Sequence, residues 1–224
     1  MSLERHSPPI TTALFDLDGT ILDTIGLILA SYQHVHETFL TDHPLDPDHY
    51  RSRLGVPLWG VFAEWVGDDP ARIDQLVEDY RAHNRQFHDE MVSAFAGVPE
   101  MLTQLREKGI RTAIVTSKMR DAAMRGLELV GLADQFDGMV SVDEVTHHKP
   151  HPEPVVKALS MLGAQPGESI FVGDAPADIG AGRAAGVRTG AVLWGPFRRD
   201  ELLPHAPHHW FEHPSEILAL IRGL

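Results

Sequence analysis

Two carboxylates, Asp16 and Asp18, flank a single leucine at the end of an apolar stretch and directly before Gly19. Like charges this close together resist joint ionisation unless a cation or a hydrogen-bond donor lies between them. Mg²⁺ prefers a few carboxylate or carbonyl oxygens, together with waters and a substrate phosphate. The stretch FDLDGT at residues 15–20 therefore predicts a cation site, around which Gly19 lets the backbone fold closely.

Further polar residues follow the later apolar stretches of the chain. Thr116 and Ser117 come after the second stretch, Lys149 after the third, and Asp174 after the fourth, with Asp178 four residues on. In an open parallel sheet, reactive groups gather beyond the carboxyl ends of the strands. We therefore expect these groups at one edge of the sheet. They suit phosphoryl transfer, which is catalysed mainly by positioning and charge neutralisation.

The elements that must position these residues are apolar, β-branched stretches that alternate with helical patterns. The predicted strands are residues 11–15, 110–115, 138–142, 169–173 and 188–194. Two connecting helices are clearly marked, one from Val98 to its closing Gly109 and one from Val155 to Gly163. Continuous apolar strands separated by helices predict an α/β fold with a parallel sheet covered on both faces.

A long insertion separates the first two predicted strands. More than ninety residues lie between Phe15 and Ile110, far more than a crossover needs. The inserted residues show no convincing strand, and their helical patterns lie near 25–40, 58–66 and 71–91. We therefore predict a helical cap domain at 24–95, able to act as a lid on an α/β core domain made of residues 1–23 and 96–224.

The overall composition narrows the class of protein. The 224 residues carry a formal net charge of −13, which argues against nucleic acid and anionic membrane surfaces as partners. The chain contains no cysteine, which excludes disulfides and thiol chemistry. The first residues lack the apolar segment of a signal peptide, and no stretch is long enough for a membrane span, so we expect a cytoplasmic location.

Four motifs in order along the chain resemble those of the haloacid dehalogenase-like (HAD) phosphohydrolases: FDLDGT, Thr116, Lys149 and GDAPAD at 173–178. The resemblance covers nearly the whole chain. It implies a Rossmann-like doubly wound parallel sheet with an inserted helical cap, and Mg²⁺-dependent hydrolysis through an aspartyl phosphate. It also implies that Asp16 is the nucleophile and Asp18 the general acid and base.

The same resemblance assigns the remaining site residues. The metal ligands that it implies are Asp16, the backbone carbonyl of Asp18, and Asp174, with Asp178 supporting them. The residues that it implies around the phosphoryl group are Thr116, Ser117, Lys149, Gly19 and Thr20. The middle of GDAPAD departs from the family pattern, since Ala175 and Pro176 stand where a polar residue is common.

A narrower resemblance lies in three segments, YRAHNRQFHDEMVSAFAGVPEML, IVTSKMRDAAMRGLELVGL and HHKPHPEPVVKAL. They are most similar to the pyrophosphatases of this superfamily, and next to its phosphoglycolate phosphatases. The expected substrate is therefore a small phosphorylated metabolite, inorganic pyrophosphate first and phosphoglycolate as the alternative. A phosphomutase is less favoured, because the lysine-free cap gives no sign of retaining an intermediate. Monomer and homodimer both stay open.

Structural interpretations compete with these assignments. Asp174 fits an ordinary turn, Lys149 a solvated surface lysine, Thr116 a strand end and Asp178 a helix cap. A dehalogenase would use neither bound Mg²⁺ nor Asp18 as acid and base. A nicotinamide oxidoreductase and a non-catalytic binding module would both be excluded by hydrolysis of a phosphate ester with Mg²⁺ alone.

Three further patterns invite a functional interpretation. The histidines at 147, 148 and 151 resemble a soft-metal cluster, but a proline-broken loop in a chain with fourteen histidines argues against zinc binding. The glycines of GAGRAAG follow Asp174 too late for a dinucleotide fingerprint and favour a helix packed closely on the sheet. Trp59, Phe62 and Trp65 have the helical spacing of a cap core, or else line the inner face of the cap.

The segment at 54–58 contains Gly55 and Pro57 between two predicted cap helices. A loop of this composition can reach over the phosphate site and contact the leaving group. The nearby Arg51 and Arg53 are then candidates for the same contact. This hypothesis predicts altered kinetics when either arginine is replaced.

Overall fold

The computed structural model describes residues 8–223 and shows an α/β fold. The strands are β1 (Thr12–Phe15), β2 (Leu22–Asp23), β3 (Ser93–Ala94), β4 (Arg111–Val115), β5 (Gly138–Val140), β6 (Ser169–Gly173), β7 (Arg188–Val192) and β8 (His209–Phe211). The helices are α1 (Ile25–Phe39), α2 (Pro47–Ser52), α3 (Leu58–Val66), α4 (Pro70–Met91), α5 (Val98–Glu107), α6 (Arg120–Leu129), α7 (Glu153–Leu162), α8 (Pro176–Ala184), α9 (Arg199–Leu202) and α10 (Pro214–Gly223). Among these residues, none of the helices combines the length and apolar character that crossing a membrane requires.

A six-stranded parallel sheet has the order β5, β4, β1, β6, β7, β8. β1 is central, and its last residue, Phe15, lies opposite Ile114 of β4 and Val172 of β6. Because these three strands run in the same direction, the residues that follow them leave the sheet at the same edge. The sheet therefore brings distant parts of the chain together at the end of β1.

Both faces of the sheet are covered, as the sequence predicts. Successive residues of β1 point to opposite faces: Phe15 packs in one buried cluster with Met101 of α5, and Leu14 packs in another with Val155 of α7. All four of these side chains are almost fully buried. This arrangement confirms the doubly wound parallel sheet and explains why its strands are continuous apolar stretches.

The sheet has one strand more than the sequence predicts. β8 pairs with β7, with Trp210 opposite Ala191, although its histidine-rich stretch has no run of β-branched residues. Pairing with an existing edge outweighs its weak local propensity. The predicted strand at 138–142 ends early, at Val140, because Ser141 donates to the Glu144 carboxylate and starts a 3₁₀ turn.

The inserted helices α1 to α4 form a cluster of their own. Its buried aromatic side chains include Tyr32, Tyr50 and Phe62, and the first two rings stack at 4.7 Å between centroids. The insertion begins and ends at an antiparallel pair, in which Leu22 of β2 lies opposite Ala94 of β3. The sequence predicts no strand there, and β3 is only two residues long. A separate apolar core supports the predicted helical domain, while its limits at 24 and 95 stay a prediction.

Two predictions about packing have different outcomes. Phe62 is fully buried in the insertion and Trp65 packs against the same cluster, but Trp59 is 47% exposed and is no part of that core. Gly182 lies in α8, where an added Cβ would approach Thr189 Cγ2 to 2.6 Å. The close packing of this helix on the sheet, predicted from GAGRAAG, is confirmed.

Candidate active site

Three strand ends supply the candidate site. Asp16 follows β1, Thr116 follows β4 and Asp174 follows β6. The backbone continues the sheet pairing by one residue, since Asp16 N donates to Val172 O and Thr116 N donates to Val140 O, both at 2.9 Å. All three side chains are buried. The parallel sheet therefore brings these residues together at one edge, as the sequence predicts.

A buried lysine joins two of the acids. Lys149 Nζ donates to Asp16 Oδ1 at 2.8 Å and to Asp178 Oδ1 at 2.7 Å, with a third bond to Val115 O at 3.2 Å. It is thus no solvated surface lysine. Asp178 also accepts from Ala175 N at 3.0 Å, so that it caps α8 and holds the lysine at once.

The buried charges are unbalanced. The pKa of Asp16 is raised to about 7, mainly by burial and secondly by the charge of Asp178. The pKa of Asp174 lies well above its usual range because of burial and the charge of Asp16. Burial lowers the pKa of Lys149, but the charges of Asp16 and Asp178 and their hydrogen bonds outweigh it, so that its pKa is raised. Three buried carboxylates share one ammonium, and an additional cation would lower the repulsion among them.

The acids fit a hard divalent cation. One oxygen from each of Asp16, Asp174 and Asp178 lies within 4.8 Å of the other two. Both oxygens of Asp178 are already engaged by Lys149 and Ala175, so Asp16 and Asp174 are the more available ligands. A buried set of carboxylate oxygens suits Mg²⁺, which prefers oxygen ligands. The chemistry of the residues present therefore fits the metal that the sequence predicts.

Gly19 and Thr20 shape the surroundings of Asp174. Gly19 has φ +83°, and an added Cβ would lie 2.8 Å from Asp174 Cγ, so the predicted close approach of the backbone is confirmed. Thr20 Oγ1 donates to Asp174 Oδ1 at 2.8 Å. In this structure the Thr20 hydroxyl therefore orients a carboxylate, whereas the sequence assigns it to the phosphoryl group.

Asp18 is held by two residues that the sequence analysis missed. Thr24 Oγ1 and Lys118 Nζ each lie 2.6 Å from Asp18 Oδ1. Lys118 stands two residues after Thr116 at the same strand end, which is the signal that could have found it. Thr24 stands just before the first inserted helix and carries no comparable signal. Both contacts hold Oδ1 of Asp18, and Oδ2 has no partner among the described hydrogen bonds.

Two hydroxyls follow β4. Thr116 Oγ1 accepts from Lys118 N at 3.1 Å, so this side chain also orders the loop that carries the lysine. Ser117 Oγ is buried and has no hydrogen-bond partner among residues 8–223, although Ser117 lines the cavity at this edge. A buried orphan hydroxyl in a cavity wall is suited to bind an oxygen of a ligand.

A cavity of about 780 Å³ lies between the strand ends and the helical insertion. Its core wall contains Asp16, Asp18 and Asp174, and its other wall contains residues 54–59. This Gly and Pro loop therefore lines the same cavity as the acids, as the sequence predicts, while its contact with a leaving group stays a prediction. Trp59 belongs to the same wall, which agrees with the alternative that it lines the inner face of the insertion.

Basic side chains also reach this cavity. Arg81 and Arg85 come from α4 of the insertion, Arg125 from α6, and Lys118 from the loop before α6. The sequence analysis gave none of them a role. For the three arginines, the face that a helical residue presents depends on how its helix packs. Each of the four basic side chains is already paired with a carboxylate: Arg81 and Arg85 with Glu78, Arg125 with Asp89, and Lys118 with Asp18.

Arg51 and Arg53 lie outside this cavity lining. Arg51 Nη2 donates to Glu201 Oε1 at 2.8 Å and its Nη1 to Glu201 Oε2 at 3.2 Å. Arg53 Nε donates to Glu64 at 2.9 Å. The hypothesis that they contact the leaving group is wrong, since carboxylates elsewhere hold both guanidinium groups. The Arg51–Glu201 pair instead joins the insertion to the core.

We expect Glu201→Gln to lower the free energy of unfolding by about 1 kcal/mol at pH 7, through loss of a two-bond ion pair. The hydrogen bond from Arg51, followed by that from the Arg198 backbone, lowers the pKa of Glu201 to about 2. Since the unfolded value is about 4.3, the pair stabilises above that pH and loses its effect as the pH falls toward 2. Urea unfolding at pH 7 and pH 3 should show the difference between wild type and variant shrinking at pH 3.

Glu212→Gln is the matched control. Its contact with Arg199 is 3.9 Å long, and both side chains are more than half exposed. We expect no measurable change in this variant. Equal losses in the two variants, or a difference for Glu201→Gln that persists unchanged at pH 3, would contradict the assigned ion pair.

Comparison with known proteins agrees with this geometry. A family profile described as haloacid dehalogenase-like hydrolase matches residues 13–192. The pyrophosphatase PpaX of Bacillus pumilus is a similar curated protein, 38% identical over 95% of this chain and 96% of its own length. The pyrophosphatase PpaX of Halalkalibacterium halodurans is 38% identical over 95% of this chain and 97% of its own length.

Solved structures share the fold. A hydrolase of the haloacid dehalogenase-like family from Streptococcus pneumoniae has a TM-score of 0.80 at 25% identity and covers 94% of this chain and 97% of its own. A predicted phosphoglycolate phosphatase from Haemophilus somnus has a TM-score of 0.83 at 20% identity, over 94% and 97%. The profile match spans both the candidate site and the insertion, and this chain belongs to the haloacid dehalogenase-like hydrolases.

Proposed function

We propose that this chain is a Mg²⁺-dependent phosphohydrolase that acts through an aspartyl-phosphate intermediate, with inorganic pyrophosphate as its substrate. The observation that carries the proposal is the buried Asp16 carboxylate at the cavity wall. One of its oxygens is bonded to Lys149 at 2.8 Å. The second oxygen has no such bond among the described contacts, so a nucleophile is held in place while one oxygen stays available.

In the first step, the free oxygen of Asp16 attacks phosphorus, and the bond from phosphorus to the leaving oxygen breaks with its electron pair. Asp18 gives its proton to that oxygen. In the second step, Asp18 takes a proton from water, the water oxygen attacks the phosphorus of the aspartyl phosphate, and Asp16 is released with inorganic phosphate. Thr24 and Lys118 hold one oxygen of Asp18 and so orient the other for both proton transfers.

The remaining residues position the phosphoryl group. Lys149 supplies a buried positive charge beside Asp16, and the unpartnered Ser117 hydroxyl is a donor in the cavity wall. We assign Thr116 to the same shell. Asp178 keeps Lys149 in place through its 2.7 Å contact. Together these groups stabilise the negative charge that the phosphoryl oxygens carry in the transition state.

Mg²⁺ would be held by Asp16, Asp174 and the backbone carbonyl of Asp18. When bound, it neutralises charge on the phosphoryl oxygens and on the acids around them. Thr20 and Gly19 contribute indirectly, because they fix the carboxylate of Asp174.

The choice of pyrophosphate rests on two observations. Relatives at 38% identity along almost the whole chain carry the name pyrophosphatase. The cavity also presents Arg81, Arg85 and Arg125, which would bind an anionic leaving group such as phosphate in exchange for their present partners Glu78 and Asp89. Phosphoglycolate, whose leaving group is also anionic, is the second candidate. We place the reaction in the cytoplasm, and monomer and homodimer both stay open.

A panel of substrates tests this proposal: inorganic pyrophosphate, phosphoglycolate, a sugar phosphate and p-nitrophenyl phosphate, each with Mg²⁺ and with EDTA. We expect phosphate release to be fastest from pyrophosphate and to stop in EDTA, because the acids need the cation to accept a phosphoryl group. A higher kcat/KM for phosphoglycolate would move the assignment to that substrate. Release from none of the compounds, or equal release in EDTA, would contradict the proposed chemistry.

A further inference from the structure

Two imidazoles and a carboxylate lie together outside the candidate active site. His147 Nδ1 is 2.8 Å from Glu153 Oε2, and the rings of His147 and His151 are 4.5 Å apart between centroids. One ligand atom from each of the three residues lies within 4.8 Å of the other two. Both histidines are exposed and Glu153 is partly exposed, so an ion in solution has access to all three.

The chain is ordered so that these side chains face one another. Glu153 Oε1 accepts from Thr146 N at 2.8 Å, and Oε2 accepts from His147 N at 3.0 Å. Glu153 N donates to His151 Nδ1 at 3.2 Å. Both imidazoles therefore hydrogen-bond to Glu153, His147 to its carboxylate and His151 to its backbone N–H. The backbone donors Thr146 N and His147 N hold the carboxylate in place, as outer hydrogen bonds hold ligand side chains around a metal.

The ligand types differ from those of the catalytic acids. Imidazole nitrogens with one carboxylate suit Zn²⁺, whereas Mg²⁺ prefers a set of oxygens. His148 stands between the two histidines in sequence but lines the cavity, so it is separate from the cluster. Two histidines and one glutamate leave a coordination position open to water.

We propose that His147, His151 and Glu153 form a surface site for Zn²⁺ that is distinct from the Mg²⁺ site. The sequence alone argues against zinc here, because the three histidines lie in a proline-broken loop of a chain with fourteen histidines. The structure separates His148 from the other two and adds Glu153 in its place. The ion would link residue 147 to residue 153 across the loop that carries Lys149.

Isothermal titration of the full chain with ZnCl₂ in excess Mg²⁺ tests the proposal, since Mg²⁺ then occupies the oxygen ligands. We expect one Zn²⁺ per chain in the wild type and loss of this binding in His147→Ala/His151→Ala. The matched control is His205→Ala/His213→Ala, which removes two exposed histidines outside the cluster and should keep the binding. Zn²⁺ should also raise the thermal midpoint of the wild type and the control, and not that of the cluster variant.

Failure of wild-type protein to bind Zn²⁺, or equal binding by the cluster variant, would overturn the site. Circular dichroism establishes that the variants are folded; if the double variant is not, His151→Ala alone replaces it and should lose binding in the same way. Phosphate release with Mg²⁺ is expected to continue in all these variants. Loss of phosphate release would count against the proposed function. The zinc isotherm would still show whether the zinc site exists.

Discussion

Asp16→Asn is expected to lower kcat by about four orders of magnitude or more, because an amide cannot form the acyl phosphate. The substitution keeps the size of the side chain and an oxygen that accepts from Lys149, whose bond to Asp16 is 2.8 Å. Stopped-flow and steady-state phosphate release with Mg²⁺ measure the effect. When the wild type is denatured during turnover, a labile phosphorylated protein should be recovered. The variant should give none.

The stability of this variant separates loss of chemistry from loss of fold. Burial and the neighbouring charges raise the pKa of Asp16 to about 7, so its ionised form is disfavoured in the folded protein. We therefore expect the thermal midpoint of Asp16→Asn in EDTA to be no lower than that of the wild type. Asp137→Asn is the control outside the site: its carboxylate accepts from Thr112 N at 2.8 Å, and kcat should be unchanged. Residual activity within tenfold of wild type in Asp16→Asn would refute the nucleophile.

Lys149→Met is expected to lower the free energy of unfolding by about 3–5 kcal/mol and to abolish turnover, because it removes one partner of a buried ionic cluster. Methionine keeps the length of the side chain but leaves Asp16 and Asp178 without the ammonium that lies 2.8 Å and 2.7 Å from them. Urea unfolding in EDTA measures the loss without stabilisation by a metal.

A double substitution isolates the ionic contribution. Adding Asp178→Asn to Lys149→Met removes one of the stranded carboxylates, so part of the lost stability should return and the effects should not add. Lys157→Met is the surface control, since this exposed lysine contacts only a backbone oxygen, Glu144 O at 2.6 Å, among its described hydrogen bonds. Its unfolding free energy should change by no more than about 0.5 kcal/mol. If Lys149→Met also changed the unfolding free energy by no more than about 0.5 kcal/mol, the buried ionic cluster would not be what stabilises this edge of the sheet.

Much of the fold could be predicted because its signals are local. The stretches that became β1, β4 and β6 each contain an unbroken apolar run, at 13–15, 113–115 and 170–172, as is typical of parallel strands buried on both faces. β8 could not be predicted, since its histidines and tryptophan form a strand only by pairing with β7. Trp59 likewise has the helical spacing of a core residue, and only the packing of the insertion shows that it faces the cavity.

The sequence by itself determined the order of the acids, the threonine and the lysine along the chain. A parallel sheet places the residues that follow its strands at one edge, whatever loops connect the strands. Only the tertiary structure decided which atoms meet there. Lys118 and Thr24 turn to Asp18, Thr20 to Asp174, and Arg51 to Glu201. Such contacts join side chains far apart in sequence or at the start of the insertion. Their geometry depends on loop paths and helix rotation, which hydrophobic periodicity does not encode.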